Sequence, residues 1–301
     1  MNVNSTQPRW SLARTLVLLA ALLMSAGSIA GGKFERGLLW KIESPGAEPS
    51  YLFGTMHSED PAVLHLSGPV RRAFESASGV TLEVVLDHAS LVMMTSAFML
   101  NDGSDLKQHI GKRLYRRAVE AMGGYGMPEV MVAGMKPWAV AVTLMTPPSE
   151  SGMVLDLMLY QQALAAGKPV DGLETPMEQL AVFDALSTQD QVAMLKDTLD
   201  NLDDMQRMLD QLKFAYLARD LRRLVEISDE SMAALHDSDP ERARRFTDRL
   251  ITERNHRMAE RMQSRLAMGR QFIAVGALHL PGEDGLLSLL SGKGYRVTVV
   301  Y

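Results

Sequence analysis

Apolar residues recur along this chain in two patterns. Short, nearly unbroken runs of aliphatic, β-branched and aromatic residues lie at 38–42, 51–54, 79–86 and 271–275, and they predict buried strands. Residues 168–174 read as a short strand running into a turn, and 295–301 as a terminal strand with β-branched alternation. The Pro- and Gly-containing segment 44–49 is a turn, so the first two strands form a hairpin. Elsewhere apolar residues fall at helical spacing: over 70–76, in several helices within 88–165, through nearly all of 176–268, and over 286–290. Gly123-Gly124-Tyr125-Gly126 and Pro147-Pro148 break the first helical region. Gly167 ends the helix over 155–165, and Thr175, Pro176 and Glu178 have the order of a cap, a first-turn proline and a capping-box acid. Asp239 and Pro240 open the last long helix and Gly269 closes it. Strands interleaved with helices imply an α/β fold, with a central mainly parallel or mixed β-sheet flanked by helices.

Two of the strands end alike. Tyr51-Leu52-Phe53-Gly54-Thr55-Met56-His57 and Phe272-Ile273-Ala274-Val275-Gly276-Ala277-Leu278-His279 each finish an apolar run with Gly, two residues and His. No other His in the chain has Gly three residues before it. The large helical insertions, about 88–165 and 176–268, fall between these two strands. A glycine at a strand end lets backbone or ligand approach closely, and the carboxyl edge of an open α/β sheet is where ligands bind. Two imidazoles delivered there from distant parts of the chain can meet over one site; the alternative is two histidines that merely end strands and bond neighbouring loops.

Four further residues stand out. Glu83 interrupts an apolar run in which Leu82, Val84, Val85 and Leu86 do not alternate, and a buried carboxylate requires a cation, hydrogen-bond donors or a metal. A strand with one wet face would instead put Glu83 in solvent. Glu174 stands at a strand-to-helix junction, either at the site edge or complementing a helix N-terminus. In the last helix Phe246, Leu250, Met258, Met262 and Leu266 mark an apolar side. Arg254, four residues after Leu250, and Asn255, four after Ile251, lie on or beside that side. A buried Arg there needs a carboxylate or an anionic ligand; otherwise it snorkels outward along the face. The methionines at 93, 94 and 99 and at 127, 131 and 135 read as core filler.

Composition narrows the chemistry. At 301 residues, 47% hydrophobic and 22% charged, the chain has enough length for a large core, and residues 31–301 read as a single domain. A net charge of −5 leaves no basic surplus for phosphates, so nucleic acid is not an expected partner. Cys is absent, which removes disulfides, thiolate metal sites and a Cys nucleophile. Any metal must therefore be held by His, Asp, Glu or Asn, a donor set suited to Mn, Co or Zn. Arg9 and Arg14 precede an apolar stretch over 16–24 and small residues over 25–30, the order of a signal peptide ending near Ala30. The apolar stretch is too short to span a bilayer comfortably, and no later one is long enough. The expectation is a periplasmic or secreted protein with no membrane span after cleavage.

The chain also resembles the TraB/PrgY/GumN family, which includes the TIKI proteases and is related more distantly to the ChaN and erythromycin-esterase proteins. The resemblance lies in residues 52–57, the Glu83 strand, Lys136-Pro137-Trp138, Asp156, residues 167–175, Glu253-Arg254-Asn255 and residues 275–282. It implies an α/β core with inserted helices and a metal-dependent hydrolase, most naturally a peptidase. His57, Glu83 and His279 would hold one divalent ion, Mn, Co or Zn, with a position open to water. Glu174 would be general base or a further ligand, and Arg254 and Asn255 would bind a substrate carboxylate or the oxyanion. The substrate would be a peptide or a small molecule. Two alternatives follow from the resemblance: a metal-independent esterase using a His base, as the erythromycin-esterase relatives suggest, and a non-catalytic protein that sequesters a peptide, haem or metal, as PrgY-like and ChaN-like relatives imply.

Overall fold

The computed structural model describes residues 34–85, 87–148, 151–235 and 240–301. The expected export signal over 1–30, Leu86 of the third predicted strand and the expected helix cap Asp239 lie outside the described residues. Six strands, β1 (Leu39–Glu43), β2 (Ser50–Thr55), β3 (Gly79–Val84), β4 (Val170–Glu174), β5 (Gln271–Gly276) and β6 (Arg296–Val299), form an open mixed sheet in the order β4-β3-β5-β2-β1-β6. Helices flank it, so the α/β class read from the sequence is the class observed. Among the described residues no helix is long and apolar enough to cross a membrane.

The hairpin of β1 and β2 is antiparallel, with Leu39 opposite Phe53, and β6 pairs antiparallel with β1 on its other side. The pairings of β2 with β5, β5 with β3 and β3 with β4 are all parallel. Four strands therefore bring their carboxyl ends to one edge of the sheet. β5 lies in the middle, buried from Gln271 to Val275, which accounts for its unbroken apolar run. Gly54 of β2 stands opposite Val275 and Thr55 opposite Gly276, so the two Gly-x-x-His strands are direct neighbours in matched register. β3, with Glu83, flanks the other side of β5; β4, ending at Glu174, lies beyond it.

The core has two parts. One covers the sheet, where Phe272 packs edge-on against Phe74 with ring centroids 5.3 Å apart. The other lies among the inserted helices around Trp138, which stacks on Phe183 at 5.5 Å and meets Phe98 edge-on at 5.0 Å. Met94 and Met135 fill this second part as expected, whereas Met93 is half exposed at 49%.

Local rules hold at the helix ends. Thr175 and Glu178 make the reciprocal capping box of the Pro176–Asp184 helix, and Gly167 adopts φ +66° just past Leu155–Ala165. The last long helix departs from expectation. A π turn, Asp248–Thr252, separates Pro240–Thr247 from Glu253–Met268, and Gly269 then ends the run at φ +71°. Such widened turns concentrate at functional sites, and this one immediately precedes Arg254 and Asn255.

Candidate active site

β2 leads into an irregular segment carrying His57, and β5 leads into a 3₁₀ turn, Ala277–His279. Their glycines serve different ends. A Cβ on Gly54 would lie 2.7 Å from Leu280 Cδ1 and 3.1 Å from Ala277 Cα, so the second unit's turn can pack on the first strand's end only because residue 54 has no side chain. Gly276 donates its N–H to Glu83 Oε2 at 2.8 Å, and a Cβ there would press on that oxygen at 3.4 Å and on His279 Cδ2 at 3.5 Å.

Each imidazole is held at Nδ1. His57 Nδ1 lies 3.1 Å from Asp156 Oδ2, while the Thr55 hydroxyl donates to Asp156 Oδ1 at 2.8 Å. His279 Nδ1 lies 2.7 Å from Asn255 Oδ1. Asn255 Nδ2 in turn donates to the Asp284 carbonyl at 2.8 Å, which fixes the amide with its oxygen toward the ring. The two Nε2 atoms are buried and have no hydrogen-bond partner. Both rings line one cavity of about 590 Å³. Its wall includes Met56, Leu209, Leu212 and Tyr216, and the buried Tyr216 hydroxyl donates to the Gly54 carbonyl at 3.0 Å. Lys213, also on the wall, is paired with Asp60 at 3.0 Å and Asp210 at 3.5 Å.

Electrostatics follow from burial and neighbours. Burial and then the Arg254 guanidinium lower the His279 pKa to about 3, so this ring is neutral. Burial alone would raise Asp156, but the His57 ring and the Thr55 hydroxyl outweigh it and hold the carboxyl below its ordinary range. Burial places the Tyr216 hydroxyl well above the usual phenol value.

Behind the imidazoles lies a buried ion network. Arg254 is 1% exposed, and its Nη2 bridges Glu83 Oε1 and Glu174 Oε2, the latter at 2.7 Å. Its Nε adds a second bond to Glu174 Oε2 at 2.9 Å, and its Nη1 donates to the Leu250 carbonyl at 3.2 Å. Arg257 takes the other Glu174 oxygen at 2.7 Å, and Gln179 Nε2 donates to Glu83 Oε1 at 2.9 Å. Two carboxylates thus face two guanidinium groups, the balance that charges at this depth require. Glu83 Oε2, which accepts the Gly276 N–H, lies 3.7 Å from His279 Nε2.

The six residues singled out from the sequence therefore meet at one sheet edge in unequal positions. His57 and His279 line the cavity, and Asn255 braces His279. Glu83, Glu174 and Arg254 lie behind that wall, and both oxygens of Glu174 rest on guanidinium groups. The anionic partner expected for Arg254 is internal. Among the described residues no group of three or more His, Asp or Glu side chains is arranged to hold a metal ion. The expected triad of His57, Glu83 and His279 departs from a ligand arrangement because Glu83 is turned to Arg254, Gln179 and the Gly276 N–H. In kind, the donors do fit a borderline divalent cation: two buried imidazole nitrogens without partners line the same cavity, each ring braced at its other nitrogen.

Sequence reasoning assigned no role to Asp156, Gln179, Arg257 or Tyr216. Arg257 was reachable, since it lies three residues after Arg254 on the same helix face. In two of the resembling stretches, Lys136, Trp138 and Lys168 make bonds that serve structure. Lys136 Nζ and Trp138 Nε1 both donate to Asp184 Oδ1, at 2.6 and 3.1 Å. Lys168 Nζ donates to the Phe74, Glu75 and Ala77 carbonyls at the end of the Gly68–Ser76 helix.

A sequence model of the TraB/PrgY/gumN family matches residues 38–299. Metalloprotease TIKI2 of Danio rerio is 26% identical over 316 residues, covering 88% of this chain and 61% of that protein. Metalloprotease TIKI1 of Homo sapiens is 26% identical over 96% of this chain and 68% of its own length. Uncharacterized protein YbaP of Shigella flexneri is 24% identical over 83% of this chain and 90% of its own. The chain thus spans about 61% of the length of the TIKI2 protein it matches. No solved structure matches with significance.

Proposed function

This chain belongs to the TraB/PrgY/gumN family, and on that premise we propose that it is an exported, metal-dependent hydrolase of peptide bonds. The observation that carries the reading is the pair of buried, unpartnered Nε2 atoms, His57 and His279, on one cavity wall. His57 and His279 would hold a Mn, Co or Zn ion, and Glu83, held by Arg254, Gln179 and the Gly276 N–H, would have to turn to become a third donor. Such an ion, when bound, brings the pKa of a water toward neutrality and polarises a carbonyl. Everything else is done by the chain's own groups. Asp156 and Asn255 orient the rings. Arg254, Gln179 and the Gly276 N–H hold the Glu83 carboxyl group in place. Glu174 and Arg257 hold Arg254, so Glu174 acts as a positioning residue and not as the general base. Asn255, tied to His279, likewise positions. The cavity wall shields the reacting carbonyl from bulk water and receives the chain around it. Two relatives are named metalloproteases, which supports a peptide substrate; the reading of residues 1–30 supports export.

The test is a cleavage assay. Protein stripped by a chelator and reloaded with Mn, Co or Zn is incubated with a mixed peptide pool, and products are read by mass spectrometry. New peptide termini should form only with metal present and vanish in His57→Ala. Absence of cleavage with all three ions would overturn the reading, and retention of intact peptide would mark a sequestering protein instead.

One observation favours a second reading. The His57–Asp156 pair has the arrangement of a base and its orienting acid, with Nε2 toward the cavity. Cleavage that survives exhaustive chelation but is lost in His57→Ala would favour metal-free hydrolysis.

A further inference from the structure

We propose that Asp156 is a positioning residue of this site: it fixes His57 as the Nδ1–H tautomer, so that Nε2 presents a lone pair to the cavity. The proposal deepens the hydrolase reading and rests on His57 being a working residue of that centre.

Asp156 lies in the first turn of the Leu155–Ala165 helix, 99 positions along the chain from His57. An acid there ordinarily faces solvent and complements the helix dipole. This one has both oxygens engaged by the same strand end, Oδ1 by the Thr55 hydroxyl at 2.8 Å and Oδ2 by His57 Nδ1 at 3.1 Å. An ionised carboxylate only accepts hydrogen bonds, so Nδ1 is the donor. A neutral ring with its proton on Nδ1 carries none on Nε2, and Nε2 is the atom left without a partner. Thr55 contributes by holding the carboxylate through its other oxygen.

The two imidazoles are consequently braced alike but by unlike groups. An anion stands behind His57; a neutral amide, Asn255, stands behind His279. A carboxylate behind an imidazole raises the basicity of the far nitrogen. The asymmetry between the two rings comes from Asp156.

The experiment uses the ¹⁵N-labelled full chain without metal, at mildly alkaline pH, with ring nitrogen shifts assigned through His57→Ala. Wild-type His57 should show a protonated Nδ1 and a bare Nε2. Asp156→Asn keeps an acceptor but removes the charge; it should keep the tautomer while Co affinity falls about tenfold. Asp156→Ala should give a mixed tautomer and an affinity loss nearer about a hundredfold. A wild-type ring protonated on Nε2 or mixed overturns the proposal. So does an Asp156→Ala protein with the wild-type tautomer. If Asp156→Ala does not fold, the wild-type shifts and Asp156→Asn decide. A fixed wild-type tautomer with no Co binding would leave Asp156's role standing and sink the metal reading, so the two failures are distinct.

Discussion

Replacing Arg254 with methionine would leave Glu83 and Glu174 buried, with Arg257 reaching only the far oxygen of Glu174. Removing one partner from a buried ion pair costs about 3–5 kcal/mol, so Arg254→Met should lower the unfolding free energy by about that amount in urea titrations. Arg254→Lys should recover only part of it, because an ammonium cannot fork across two carboxylates. A loss below about 1 kcal/mol for Arg254→Met would show that the carboxylates find other partners. The same physics decides what could be read from the sequence. Glu83, Arg254 and Asn255 were legible because a polar residue inside an apolar pattern is costly and must have a reason. Asp156 and Gln179 were not, because each occupies an early helical turn, where polar side chains are ordinary. Only the fold shows that both point inward.

Between elements, the close contact of the two strand-end units makes a prediction of its own. Gly54→Ala would drive a Cβ to 2.7 Å from Leu280 Cδ1 and 3.1 Å from backbone at Ala277. Overpacking of this kind costs about 1–3 kcal/mol. Gly276→Ala meets nothing closer than 3.4 Å and should destabilise less. Urea titration of the two variants checks the order; equal losses would mean that Gly54 is not where the units lock together. The strands, the hairpin and the capping box were legible because each is set by local rules of period, turn residues and caps. The π turn at Asp248–Thr252 was not. Its neighbouring apolar residues keep a helical spacing, and a widened turn leaves no composition signal of its own.

Across the whole molecule, stability should fall with acid in two overlapping windows. His279 titrates near 6.5 when unfolded and at about 3 when folded, and Glu178, gripped by Arg261 at 2.6 and 3.0 Å, at 4.5 and about 2. In both cases the unfolded chain binds the proton first, so stability is full above the unfolded value and is lost as pH falls toward the folded one. Melts of metal-free protein should show Tm declining from about pH 6.5 to about pH 2, and Glu178→Gln should flatten the portion below about 4.5. A Tm that rises on acidification would contradict the assignment. The class of fold was legible, but the strand order was not. Placing β5 between β2 and β3 joins segments about 190 to 220 residues apart, a pairing set by burial of the whole sheet rather than by any local pattern.

That pairing puts His57 and His279 on one cavity wall, and the most direct test of what they do there is to count metal. Chelator-stripped protein is dialysed against Mn, Co or Zn, washed, and assayed by elemental analysis against protein concentration. The wild-type chain should retain a single ion, and His57→Ala and His279→Ala, shown to be folded, should retain none. A wild-type chain that keeps no metal, or variants that keep as much as wild type, would contradict a metal centre built on these two imidazoles.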